Sequence, residues 1–533
     1  MRKGEKSVGT EPLNVKWLAI GILLLLVGTS ILPVIAQETK QQPSTSQGNW
    51  LYVGGNGPGN YTKIQDAINA SIDGDTVFVY DDNAPYFEQL TIDTTLTLLG
   101  ENQTTTIINS TADEFYTILS INADSVHLSG FTIIFNGGNG VEILSNHTRL
   151  SNLTLQSGIQ GWSGIGIKLT TAYDTIITDT LITRAQIAIF LADAIDTSIT
   201  HNLIVDPGLN GIIVYSSDSI IDGNTIMGNL EPYTKPVGIY LSSSRNTVSR
   251  NMIKAMVGNA TDGISLNGAT DNIIEGNTLV NTGFEWYASE RNIFANNTVN
   301  GKPFVFLVDR SDQVIDDAGQ VILVNCTRMT VEHLSLFNSR YGIHLYQTTS
   351  SIIQECYISS CWYGIGLEVS QDNIIQHNTI SHCEDGIYIY QGGSNRVENN
   401  TINRSRYHGL LISSKSTWAS QNQIDNSSVG IMVSRCLSGS FTRNTIRHCL
   451  WGIYLEMAAT TTIAQNNFLD TLLDAVFYTA FLNHWAGNYW GKSRILPKII
   501  PGSILIYDEP FPYGRSFVIP WFNLDLHPAQ TLQ

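Results

Sequence analysis

The feature that most restricts this chain is a period. The glycine that opens an apolar run recurs at 342, 364, 386, 409, 430 and 452, in steps of 22, 22, 23, 21 and 22 residues. An asparagine recurs at Asn378, Asn400, Asn422, Asn444 and Asn466, every step being 22. Looser copies of both motifs run back through the first half, with glycines at 140, 166, 211, 238 and 263 and asparagines at 202, 224, 251, 277 and 297. Inside a period apolar residues alternate, as in Gly386-Ile387-Tyr388-Ile389-Tyr390, and alternation at period two means strand rather than helix. Three short strands with corners fill such a period, and stacked turns pair each strand with its copy in parallel at about 4.8 Å. The expected fold is all-β, a single right-handed parallel β-helix of about sixteen coils over residues 76–470.

Both recurrent residues have structural roles in that fold. A corner asparagine can bond the equivalent amide one coil on, satisfying buried polar groups that a bent strand leaves open. The glycine suits a corner that needs positive φ or has no room for a Cβ. Open ends of a β-helix expose strand edges, so caps are expected. Residues 50–75 are read as the N-terminal cap, with a helix over 61–70 from the spacing of Tyr61, Ile64, Ala67, Ile68 and Ile72. Residues 471–533 form the C-terminal cap, where Trp485, Tyr489, Trp490, Phe511, Tyr513, Phe517, Trp521 and Phe522 crowd together. Two apolar runs, 304–308 and 320–324, flank a polar turn with Asp312, Asp316 and Asp317, and 301–325 reads as an inserted hairpin.

Ahead of the repeat lies an export signal. Residues 1–16 carry a positive excess, 17–32 are apolar, and Val34-Ile35-Ala36 suits cleavage after Ala36. An uncleaved anchor over 17–36 is the alternative, since about 20 apolar residues span a bilayer. Residues 37–49 read as a linker, and twelve Asn-x-Ser/Thr acceptors, Asn60 and Asn399 among them, are open to glycosylation in an exported chain. Acidic groups outnumber basic ones 46 to 29, a net charge of −17, which excludes a nucleic-acid binder. Any membrane contact would run through 17–36.

The chain resembles the NosD-like periplasmic copper-binding β-helix family, within the wider group of carbohydrate-binding and sugar-hydrolase β-helices. The likeness spans roughly 50–528 and is carried by several motifs. They are Tyr61-Thr62-Lys63-Ile64-Gln65-Asp66-Ala67-Ile68 with Gly74-Asp75-Thr76-Val77, Leu96-Thr97-Leu98-Leu99-Gly100, Ala318-Gly319-Gln320-Val321-Ile322-Leu323-Val324-Asn325-Cys326, and Gly487-Asn488-Tyr489-Trp490. It implies the β-helix, and it raises copper as a ligand without assigning an activity.

The residues give copper little support. His382-Cys383 and His448-Cys449 lie 66 residues apart, three coils or about 14 Å. Cys361 and Cys383 share a register 22 residues apart and should stack. They read as core thiols, with a disulfide or a two-thiolate metal site as alternatives. Calcium in the turn of 301–325 is a further possibility. For polysaccharide cleavage, Glu368 and Asp385 come out at about 16 Å, too far for a glycosidase pair. His408-Gly409 resembles a polygalacturonase motif but finds no carboxylate cluster.

Binding fares better. One outward column reads His344, Gly366, Tyr388, Leu411, Met432, Tyr454, and the next Tyr346, Glu368, Tyr390, Ser413, Ser434, Glu456. With Trp362 and Trp451 at nearby corners, the candidate ligand contacts are His344, Tyr346, Trp362, Tyr388, Tyr390, Trp451 and Tyr454. Such rings suit a sugar or a protein partner, and they are also ordinary β-formers. The leading expectation is an exported, non-catalytic surface protein that binds a glycan or cell-surface partner. A polysaccharide-active enzyme and a copper accessory protein are the alternatives.

Overall fold

The structure is a computed structural model that describes residues 48–533 except 110–115, 159–162, 229–236, 256–261, 290 and 508–515. The expected signal or anchor (1–36) and the linker up to residue 47 lie outside the described residues. No helix among those described is long and apolar enough to cross a membrane.

Alternation sets which side chains enter the core. Ile387 and Ile389 are fully buried while Tyr388 and Tyr390 point outward. Ile343, Ile365, Ile387, Leu410, Ile431 and Ile453 are register partners on successive coils and all buried, so the core is a column of aliphatic side chains. Each such side chain contributes about 1.5–3 kcal/mol. The fold is a parallel β-helix.

The asparagines form the expected ladder. Asn400 Nδ2 donates to Asn422 Oδ1 at 3.0 Å and to Ile375 O at 2.8 Å. Its own Oδ1 accepts from the side chain and the backbone N–H of Asn378, both at 3.0 Å. The ladder continues through Asn444 and Asn466 to Asn488, and a second one runs from Asn202 to Asn297. The corner residue before each rung, such as Gln421 or Arg443, carries the positive φ (57° and 56°). The recurrent glycines therefore serve close approach. A Cβ on Gly409 would sit 2.4 Å from Ile424 Cγ2 and 2.7 Å from Gly430 O.

Two expectations need correction. One face of the coils holds eleven strands in the first half and nine in the second, about twenty coils rather than sixteen. The first-half period stretches to 27 residues, as at Thr225↔Met252, which hides coils from a count of motifs. Residues 301–325 are also not a hairpin. Lys302–Val308 pairs in parallel with Gln320–Val324, and Val314–Ile315 between them joins the next face, so the segment is a short coil. Alternating runs look alike whether paired parallel or antiparallel, and the strand between them decides. The chain reverses earlier, through Asn300 and Gly301, where Val299 pairs antiparallel with Lys302. The core accordingly divides into one cluster from Val53 to Val299 and another from Ile315 to Ile500. We call these the first and second stacks.

The single α-helix among the described residues, Ile64–Ala70, falls inside 61–70. The Glu88 carboxylate accepts the Ile64 and Gln65 amides at its N-terminus at 2.9 and 3.0 Å. At the other end coils continue past 470 to Trp490, and an antiparallel pair, Lys498–Tyr507 with Ser516–Asp525, closes the second stack. Trp485 and Trp490 are buried there, while Trp521 and Phe522 stay exposed. Phe511 and Tyr513 lie outside the described residues.

Candidate binding face

The glycine-led strands of the second stack place both outward columns in the register expected, with His344, Gly366, Tyr388, Leu411, Met432 and Tyr454 in line. Their surroundings differ from one end of the face to the other. The last coils of the first stack lie over its beginning. Trp286 packs edge-on against Tyr346 at 5.2 Å and joins Ile322 and Val324 in a small apolar cluster. Arg340 Nε lies 2.8 Å from Glu285 Oε1, and its NH1 lies 3.4 Å from Asp262 Oδ2.

His344 is buried, 2% exposed, which corrects its reading as a surface ligand contact. Its ring stacks on Tyr341 at 4.1 Å; among the described residues neither ring nitrogen has a hydrogen-bond partner, Nε2 lying 3.6 Å from Glu368 Oε1. Burial and then the charge of Arg340 hold its pKa at about 3, so the imidazole is neutral. Tyr341 reaches across Gly366, where a Cβ would lie 2.6 Å from its ring, and its hydroxyl donates to Glu368 Oε1 at 2.9 Å. Burial raises Glu368 above the usual carboxylate range despite that bond.

Further along, Tyr341, Tyr363 and Tyr388 stack at 4.8 Å per step with ring planes 24° apart. Tyr363 thus has a ring on each face. Tyr390 lies 6.1 Å from Tyr388 and is 36% exposed, and Trp451 is exposed with Tyr454 against its edge at 5.3 Å. Trp362, Tyr388 and Tyr454 are half-buried. Beside Tyr390, Ser413, Lys415 and Arg435 line an open groove of about 440 Å³.

Sequence reasoning missed a partner for His408. Asp385 is its register neighbour one coil back, and His408 Nδ1 donates to the buried Asp385 carboxylate at 2.7 Å. That bond fixes the orientation of the imidazole and turns Nε2 away from the carboxylate. The 23-residue spacing was the available signal. Glu368 and Asp385 remain five strand positions apart, aligned with Tyr390 and Tyr363.

All six cysteines are buried free thiols. Cys361 and Cys383 face the core, and the neighbouring Cys361 thiol and then burial hold Cys383 well above the ordinary thiol range. Two of the three carboxylates suggested for calcium are taken by cations of the chain itself. Asp312 is paired with Arg328 at 2.6 and 2.7 Å and Asp317 with Lys302 at 2.6 Å, which leaves Asp316 as the remaining carboxylate of that turn.

A family model described as "Periplasmic copper-binding protein (NosD)" matches residues 68–254, 232–312 and 306–494. A search of curated proteins gives no match. Among solved structures the chain is similar to a pectin methylesterase from Aspergillus niger, at 18% identity over 49% of this chain and 88% of that one, TM-score 0.28. It is similar to the tailspike of an Escherichia coli bacteriophage in complex with a pentasaccharide, at 11% identity over 84% and 79%, TM-score 0.35. It is also similar to a mannuronan C-5 epimerase module from Azotobacter vinelandii, at 10% identity over 80% and 94%, TM-score 0.27.

Proposed function

This chain belongs to the NosD family of periplasmic copper-binding proteins, and from that premise we propose that it is an extracytoplasmic β-helix that binds a glycan without transforming it. The periplasmic character of the family agrees with export. The observation that carries the reading is the exposed part of the glycine-led face, where Tyr390 lines an open groove with Ser413, Lys415 and Arg435 and Trp451 is exposed three coils further on, on a surface that repeats coil by coil. A repeating surface suits a repeating polymer, and rings with polar neighbours suit sugars.

The residues do not fit a copper centre. Copper sites draw on Cys, Met and His converging on one point. Cys361 and Cys383 offer two thiols aimed into the core, with Ser339 as a further neighbour of Cys361. Surface histidines such as His147 and His448 pair with carboxylates rather than with soft donors. Among the described residues no group of three His, Cys, Asp or Glu is arranged to hold a metal ion.

An enzyme reading is favoured by the Asp385–His408 pair, whose geometry orients a general base. One experiment separates the two. The full chain is run in affinity electrophoresis through a panel of polysaccharides with chelator present, and the same polymers are assayed afterwards for new ends. Retardation without cleavage, weakened by Tyr390→Ala or Trp451→Ala, supports binding. Retardation by none of the polymers, or cleavage abolished by His408→Ala, overturns it.

A further inference from the structure

We propose a second contact site on the neighbouring face of the same stack, a subsite for an uncharged pyranose ring built around Trp418. It rests on the glycan reading above and names the class of sugar. Trp418 sits on the strand Thr417–Ser420, with Arg396 one coil before it and Ser440 one coil after. Its indole is 40% exposed. Tyr363 has both ring faces taken by tyrosines. Trp418 instead lines an open basin of about 410 Å³ together with Ser420, Ser440 and Thr442, whose side chains are short and carry hydroxyls. An apolar ring beside hydroxyls matches a sugar ring, whose C–H groups pack on the aromatic face and whose oxygens take hydrogen bonds.

A second open groove adjoins this basin around the corner of the coil. It measures about 510 Å³; Gln421, Gln423, Asn399 and Gln465 bring amides to it, and Arg443 also lines it, its Nε donating to Gln465 Oε1 at 3.0 Å. The chain runs from Trp418 through Ser420 to Gln423, so both grooves are laid along one coil. Amides pair a donor with an acceptor at fixed separation, matching the hydroxyls of a neutral sugar.

Charge selects the class. The basin's only charged groups, Arg396 and Glu398, neutralise each other through contacts of 2.7 and 2.8 Å. The chain as a whole carries −17. In the Trp418 basin a polyuronate would find no spare cation and would meet the chain's net negative field on approach, while among the described residues Arg443 is the one cation lining the adjoining groove, so the neutral class is assigned to the ring over Trp418.

The test is titration calorimetry of the full chain with dextran, laminarin and galactomannan as neutral probes and polygalacturonate as the anionic one. Trp418→Ala should weaken the best neutral probe about tenfold or more, Gln423→Ala should weaken it as well, and Trp418→Phe should keep part of the affinity. Far-UV dichroism checks each fold. Unchanged neutral binding by both the Trp418→Ala and Gln423→Ala variants overturns the site while leaving the glycan reading intact. Preference for polygalacturonate overturns the class of sugar. Binding to none of the probes overturns this proposal and, with a negative electrophoresis panel, the glycan reading too.

Discussion

His344 has its neutral form locked in by burial, and the sign of the effect on stability follows. Its folded pKa of about 3 lies below the ordinary 6.5. As pH falls from 6.5 towards 3 the unfolded chain takes up a proton that the folded chain refuses. Stability is lost through that window at about 1.4 kcal/mol per pH unit. Above pH 6.5 neither state is protonated and the residue contributes no pH dependence. Glu368 acts in the other direction: its raised pKa makes the folded state pay a growing cost as pH rises above the ordinary 4.5. His344→Phe keeps a ring against Tyr341 and removes the titration. Denaturant unfolding of wild type and variant should differ by a constant above pH 6.5, with the variant gaining below it. Parallel curves down to pH 4 would show that the imidazole is not held neutral.

Coils stack only as closely as their narrowest contacts allow, and at the scale of the strand those contacts are glycines and ladder ends. A Cβ on Gly430 would lie 2.4 Å from Ile446 Cγ2 and 2.6 Å from Gly452 O. Both belong to packed neighbours, so Gly430→Ala should cost about 1–3 kcal/mol in a denaturant titration. The ladder needs a terminus as well as rungs. Asp525 supplies it, its buried Oδ2 accepting from Asn488 Nδ2 at 3.1 Å, Asn488 N at 3.0 Å and Trp490 Nε1 at 3.1 Å. Asp525→Ala leaves those donors without acceptors, at about 1–3 kcal/mol each. The expected readout is faster amide exchange confined to the last coil around 484–490, with protection at Asn378 unchanged. Uniform loss of protection along the stack would contradict a local cap.

Across the whole molecule the junction between the stacks is the decisive contact. Arg340 stands between Glu285 and Asp262 of the first stack and belongs to the second. Arg340→Met leaves two carboxylates facing an apolar side chain, a loss of about 3–5 kcal/mol for a buried pair broken on one side. With the coupling weakened, the stacks should melt in two calorimetric transitions where wild type shows one. Cleavage by protease near Asn300-Gly301 should quicken in step. A single shifted transition would mean that the coils alone, through the reversal at Gly301, carry the cooperativity.

Much of this architecture was legible because a period in sequence becomes a height along the axis. The rungs Asn378 to Asn466, the core isoleucines and the outward columns from His344 to Tyr454 all follow from counting in steps of about 22. Counting also contained Asp385 and His408, one coil apart, though their pairing went unread. What counting cannot supply is anything between residues at unrelated heights. Trp286 over Tyr346 and Arg340 against Asp262 depend on how one stack meets the other. Alternation does not encode the sense of pairing either, so the coil at 302–324 looked like a hairpin. Local hydrogen bonding and side-chain spacing, set by near neighbours, were fixed by the chain's own order. Which outward side chains meet water was settled only when the two halves packed, because burial is a property of what lies opposite.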